Sequence, residues 1–249
     1  NVFLSQKEKE RVLAAARKAI PPDKVMMVGT GCQSTWQTVE MSRLAAKAGA
    51  DCALVVSPFY YKGQMRPDRL TAHYYRVADE APLPVLIYNF PQSTGLNLGP
   101  DLVARLAEHP NLVGIKDSSG NIGQLSEILR LTPPEFAVFT GNAPVFYPAL
   151  CLGARGGILA VANVAPEVCL EILARFEQGD LQAALDLQRL MTPLAEMVTV
   201  GQGIGGLKLA MNLAGYQGGG VRGPLTRPQE PEVEAALKAE LAKLGLLKG

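Results

Sequence analysis

The sequence predicts an α/β protein in which strands and helices alternate around a parallel sheet. Three observations carry that prediction. Six short apolar runs lack the in–out alternation of half-exposed strands, which is how strands buried on both faces read. They recur about every 20 to 33 residues, and the gaps hold patterns of helical period. Repeated βα units of that spacing build parallel sheets. Periodicity alone leaves two architectures open. One is an open doubly wound sheet of six strands, and the other is a closed barrel of about eight, with two further units ahead of Asn1.

Ser5-Gln6-Lys7-Glu8 is a capping box that opens a helix running to about Ile20, and Pro21-Pro22 stops it. The first strand is expected at 25–28, ending in Gly29-Thr30-Gly31. Ser34 or Thr35 caps a helix to about Ala48, and Gly49-Ala50-Asp51 turns into a second strand at 52–56. Ser57-Pro58-Phe59-Tyr60-Tyr61 follows it. A helix at about 67–80 leads to a third strand at 85–89, and Gly99-Pro100-Asp101 opens a helix ending near His109. The fourth strand starts at Leu112 and carries Lys116. A helix at 122–131, a strand at 136–140, a helix at 143–152 and a sixth strand at 156–161 complete the units. From Pro166 onward only helices are expected, at about 166–178, 180–198, 205–214 and 230–245, with a glycine- and proline-rich connector at 215–228. The chain therefore reads as a partial barrel or sheet at 1–165 and a helical region at 166–249 packed on it.

Net charge is +1 with basic residues scattered, which leaves no footprint for nucleic acid or an anionic membrane. No apolar run approaches the roughly 20 residues that span a bilayer, and no signal peptide is visible. Cys32, Cys52, Cys151 and Cys169 form no CxxC pair and lie near no histidine, so they read as buried free thiols in a reducing compartment. That compartment is the cytoplasm, or the mitochondrial matrix in a eukaryote. His73 and His109 are the only histidines, which argues against a metal site or a mechanism built on several imidazoles. Gly201-Gln202-Gly203-Ile204-Gly205-Gly206 fits GxGxxG, but no strand leads into it and no acidic residue ends a second strand. It reads as a helix–helix connection rather than a dinucleotide site.

Lys116 carries the chemistry. A lysine at the C-terminal end of a parallel strand lies on the ligand-binding face, and partial burial frees its amine to attack a ketone. Its structural alternative is a side chain that snorkels into solvent. Tyr88 at the end of the third strand and Tyr60 just past the second strengthen the chemical reading, because imine formation needs proton relays and phenols can supply them. Either tyrosine alone could be an aromatic plug.

Six segments in order, Gly29-Thr30-Gly31, Ser57-Pro58-Phe59-Tyr60-Tyr61, Tyr88-Asn89-Phe90-Pro91 with Thr94-Gly95, Gly114-Ile115-Lys116-Asp117, Thr140-Gly141-Asn142 and Ala162-Asn163-Val164, resemble the pyruvate-dependent class I aldolase family. That family includes dihydrodipicolinate synthase, N-acetylneuraminate lyase and 4-hydroxy-2-oxoglutarate aldolase. The resemblance implies a (β/α)8 TIM barrel with a C-terminal helical tail, a lyase without cofactor or metal, and a homotetramer built as a dimer of dimers. It implies that Lys116 forms the Schiff base with a keto acid, that Tyr88 shuttles protons, and that Tyr60 reaches a neighbouring subunit's site, with Tyr61 in that place if the alignment slips by one. Gly141 and the backbone at Ile158 would line the keto-acid pocket. The family's GxxGE segment, which binds the pyruvate carboxylate, is expected before Asn1, together with the first two strands. Ser93 stands where dihydrodipicolinate synthases carry an arginine for the aldehyde's carboxylate, and a hydroxyl does not replace a bidentate guanidinium. With Gly203-Ile204-Gly205-Gly206-Leu207-Lys208, Gly215-Tyr216 and Gly218-Gly219, this favours the 4-hydroxy-2-oxoglutarate aldolase branch. The alternatives are dihydrodipicolinate synthase, a 2-keto-3-deoxy sugar acid aldolase and an inactive ligand-binding member of the family.

Overall fold

The computed structural model describes residues 2–248, which fall into two compact units that divide between Phe139 and Thr140. In the first, α1 (Gln6–Ala19) starts at the expected box: Ser5 N–H donates to Glu8 Oε2 at 2.8 Å, and Ser5 Oγ accepts from Glu8 N–H. Then come β1 (Met27–Gly29), α2 (Thr35–Lys47), β2 (Cys52–Val56), α3 (Pro67–Glu80), β3 (Val85–Asn89), the short α4 (Pro91–Thr94), α5 (Pro100–Leu106), β4 (Leu112–Asp117) and α6 (Ile122–Leu131). The last strand, β5 (Ala137–Thr140), ends at the boundary between the units. The helix cap at α2 is Ser34, whose Oγ accepts from Gln37 N–H.

The strands of the first unit lie side by side in chain order, and β1–β2, β2–β3 and β3–β4 are all parallel. Val55, Val85, Ile87 and Ile115 are fully buried, as strands covered on both faces require. The first strand starts two residues later than expected. Val25 is exposed, and Met26 N–H turns away to donate to Asp51 Oδ2 at 2.7 Å. The helix expected to reach His109 ends at Leu106, where turns take over and Asn111 binds the carbonyls of Ala78 and Leu83.

The second unit holds α7 (Phe146–Cys151), β6 (Gly156–Gly157), α8 (Pro166–Glu177), α9 (Leu181–Glu196), α10 (Gly203–Leu213) and α11 (Pro231–Lys243). The sixth strand is shorter than expected. Beyond Ile158, whose N–H donates to Thr140 O at 2.9 Å, the chain coils into a turn at Ala160–Asn163. Val161, Val164 and Ala165 are spaced for a helical turn, and all three are buried in this unit's core. The GxGxxG segment runs from a π-helical turn, Met197–Gly201, into α10, as a helix–helix connection would. Two cysteines depart from the buried expectation. Cys151 is exposed at the end of α7 and Cys32 is half-buried in the loop after β1, while Cys52 and Cys169 are buried.

Gly114 lies where β4 and β5 approach closely. A Cβ there would stand 2.3 Å from Ala137 O on β5. Gly114→Ala should therefore force β4 and β5 apart and cost about 3 kcal/mol or more of stability, read as a lower urea midpoint. An unchanged midpoint would mean that the two strands tolerate separation.

Candidate active site

The site is built on the C-terminal ends of β2, β3 and β4. The register between β3 and β4 contains an irregularity that decides its geometry. Val85 pairs with Leu112, but Leu86 pairs with Gly114, so Val113 is an extra residue on β4. From there Ile87 faces Ile115, Tyr88 faces Lys116 and Asn89 faces Asp117. Without the extra residue Tyr88 would face Ile115, and the lysine would point to the opposite side of the sheet. The bulge thus puts the amine and the phenol on one face.

Lys116 Nζ lies 4.2 Å from the centroid of the Tyr88 ring. The contact places the ammonium form over a π-face. Burial nevertheless dominates and lowers the lysine from its usual range near 10.5 to about 8. A usable fraction of the amine is then neutral near pH 7. The Tyr88 ring stacks on Phe90 at 5.3 Å, which fixes its plane. Burial pushes the Tyr88 phenol up, with the Ser118 hydroxyl beside it pulling the other way. At neutral pH the phenol is a proton carrier rather than an anion. Ser118 is itself buried, and its Oγ closes no hydrogen bond of normal geometry among the described residues. It was not picked out from the sequence, although its place two residues after Lys116 on an extended strand end signals the same face.

Behind this face lies a polar cluster that sequence reasoning also missed. Asn89 and Asp117 are 0% and 2% exposed. Asn89 Nδ2 donates to Asp117 Oδ1 at 2.7 Å and to Asn97 Oδ1 at 2.9 Å, while Asn89 Oδ1 accepts from Leu98 N–H. Ser119 Oγ donates to Asp117 Oδ2 at 2.6 Å, and Gln124 Nε2 donates to Asn97 Oδ1 and more weakly to Asp117 Oδ1. Neutral donors alone satisfy this carboxylate among the described residues. They tie the ends of β3 and β4 together directly behind Tyr88 and Lys116.

The other expected residues lie apart from this pair. Tyr60 and Tyr61 are 74% and 71% exposed and meet edge to face at 5.0 Å. Gln33 Oε1 accepts from both Phe59 N–H and Tyr60 N–H, which pins the loop that carries them. Ser93 is exposed on α4, its N–H bonded to Phe90 O. Gly141 and Ile158 belong to the second unit, where both are half-buried on either side of the Thr140–Ile158 bond. His73 is buried and held neutral by desolvation, down to about 4, with Nδ1 at 2.9 Å from Thr35 Oγ1. His109 sits against Asp79. Among the described residues no three His, Cys, Asp or Glu side chains gather as a metal would need, and no helix is long and apolar enough to cross a membrane.

Comparison with known proteins gives a consistent result. Residues 1–243 match the model of the dihydrodipicolinate synthetase family. The 4-hydroxy-tetrahydrodipicolinate synthase of Acaryochloris marina is 36% identical over 98% of this chain and 82% of its own length. That of Archaeoglobus fulgidus is 37% identical over 88% of this chain and 75% of its own length. Among solved structures, dihydrodipicolinate synthase from Thermotoga maritima superposes with a TM-score of 0.92 at 30% identity, covering 98% of this chain and 83% of that one. A prophage protein of the same family from E. coli K12, solved in complex with pyruvate, gives 0.89 at 29% identity over 98% of this chain and 83% of that one.

Proposed function

The chain belongs to the dihydrodipicolinate synthetase family, and we propose within it a 4-hydroxy-2-oxoglutarate aldolase, with Lys116 as the Schiff-base nucleophile. Its class is a lysine Schiff-base lyase acting on pyruvate. The observation that carries the assignment of Lys116 is its lowered amine, near 8, facing Tyr88 across the β3–β4 register.

In the cleavage direction the neutral Nζ of Lys116 attacks the C2 carbonyl, and the carbinolamine loses water to give a protonated imine. The imine accepts the electron pair of the C3–C4 bond as the C4 hydroxyl gives up its proton, and glyoxylate departs. The remaining enamine takes a proton at C3, and water then hydrolyses the imine to release pyruvate and restore the lysine. Tyr88 is the group we assign to these proton transfers, with Ser118 beside it. Gly141 and the backbone at Ile158 are proposed to line the keto-acid pocket. We take the parallel βα units at 1–165 as barrel and 166–249 as its helical region. The exposed Tyr60–Tyr61 pair supports a homotetramer in which Tyr60 serves a neighbouring site, because two large aromatics left in solvent mark a contact surface.

Ser93 is the ground for choosing this substrate. It lacks the bidentate guanidinium that the resemblance implies for dihydrodipicolinate synthases at this place, on α4. A second reading, condensation of pyruvate with aspartate semialdehyde, is favoured by the names of the curated relatives. The two reactions should be assayed side by side on one preparation. We expect kcat/KM for retro-aldol cleavage of 4-hydroxy-2-oxoglutarate to exceed that for the condensation by roughly 10-fold or more. The opposite order would assign the protein to the second reading.

A further inference from the structure

We propose that Lys62 is the specificity-determining cation of this site and binds the carboxylate of the aldehyde partner. The proposal rests on the aldolase reading above and names the class of aldehyde it takes. Its ground is the charge on the loops that follow the strands of the first unit. The loops after β1 (30–34), β3 (90–99) and β4 (118–121) contain no charged residue, and the loop after β2 (57–66) contains two, Lys62 and Arg66. Arg66 stands at the N-cap of α3, 3.9 Å from Asp68 Oδ1. No carboxylate among the described residues lies within 4.0 Å of Lys62. Among the described residues Lys62 is thus the one cation on these loops with no acidic neighbour, and the four loops carry no acid to compete for it; the nearby Asp117 carboxylate is buried and already accepts from Asn89 and Ser119.

Its position fits the role. Val56, the last residue of β2, pairs with Tyr88, so the β2 loop rises beside the phenol on the side away from Lys116. Lys62 opens a short 3₁₀ turn, Lys62–Gln64, and its side chain reaches across to the β3 loop. A Cβ on Gly95 would stand 3.5 Å from Nζ and 3.7 Å from Cδ, so the ammonium lies over Gly95, two residues past Ser93. A flexible ammonium on a loop without acids attracts an anionic substrate end and grips it as a point charge.

The structural alternative is that Lys62 only offsets the C-terminal dipole of α4, whose cap is Gly95. Both roles put the ammonium in the same place, but they differ in what they do to acceptor choice. The test condenses pyruvate with glyoxylate and with acetaldehyde, which differ in the carboxylate, and takes the ratio of kcat/KM for the two. In Lys62→Met the glyoxylate preference should fall by roughly 10-fold or more, through KM for glyoxylate, and Lys62→Arg should restore most of it. Rising salt should erode the wild-type preference and leave that of Lys62→Met flat. An unchanged ratio in Lys62→Met, in a preparation that forms a borohydride-trapped pyruvate adduct, overturns this proposal alone. Absence of that adduct in the wild type overturns the aldolase reading and this proposal with it.

Discussion

Lys116→Met should abolish turnover and make the protein more stable. Met fills nearly the same volume without an amine, so the covalent route is closed, and the loss in kcat should be roughly 10³-fold or more. Lys116 also carries a cost to the fold. An unfolded lysine titrates near 10.4 and the folded one near 8. Between these values the unfolded chain binds more protons, so the wild type gains stability as pH rises through that window. Below pH 8 the whole cost of burying the charge is present. Lys116→Met removes it, and at pH 7 the variant should be about 1 to 3 kcal/mol more stable, a difference that closes near pH 10.4. Urea titrations of both proteins at pH 7 and pH 10 measure this. A variant that is less stable at pH 7 would mean that the contact with the Tyr88 ring outweighs desolvation.

Asp117→Ala should destabilise the protein by about 2 to 4 kcal/mol and lower the rate as well. The carboxylate is the shared acceptor of Asn89 Nδ2 and Ser119 Oγ, and of Gln124 Nε2 at longer range. Truncation leaves Asn89, which is fully buried, short of one partner. Asp117→Asn should cost less, because its amide oxygen can still accept one of these bonds. The rate should follow stability, since Asn89 and Asp117 follow Tyr88 and Lys116 directly on their strands and hold the two ends in register. A urea midpoint for Asp117→Ala within error of the wild type would show that water replaces the lost acceptor.

The parallel βα order and the placement of Lys116 and Tyr88 at strand ends were legible in the sequence, because buried parallel strands leave plain apolar runs. Their juxtaposition was not. It depends on the extra residue at Val113, which is a relation between strands 28 positions apart and leaves no local pattern. The Asn89–Asp117 cluster escaped for the same reason. Helix α4 was missed because four residues, the first of them a proline, are too short to show a period. The sixth strand was drawn too long, because the apolar residues of a helical turn and of a strand look alike over so few positions. Ser118 could have been found from the two-residue period of β4.

The Schiff-base role of Lys116 is tested most directly by borohydride reduction of the protein in the presence of pyruvate, followed by peptide mass analysis across pH 6 to 10. Lys116 should carry a reduced pyruvate adduct, absent in Lys116→Met, with a rate of formation that climbs with pH and levels off above about 8. A protein that forms no adduct at any pH, or forms it on another lysine, would contradict the assignment of Lys116 and leave the ligand-binding alternative standing.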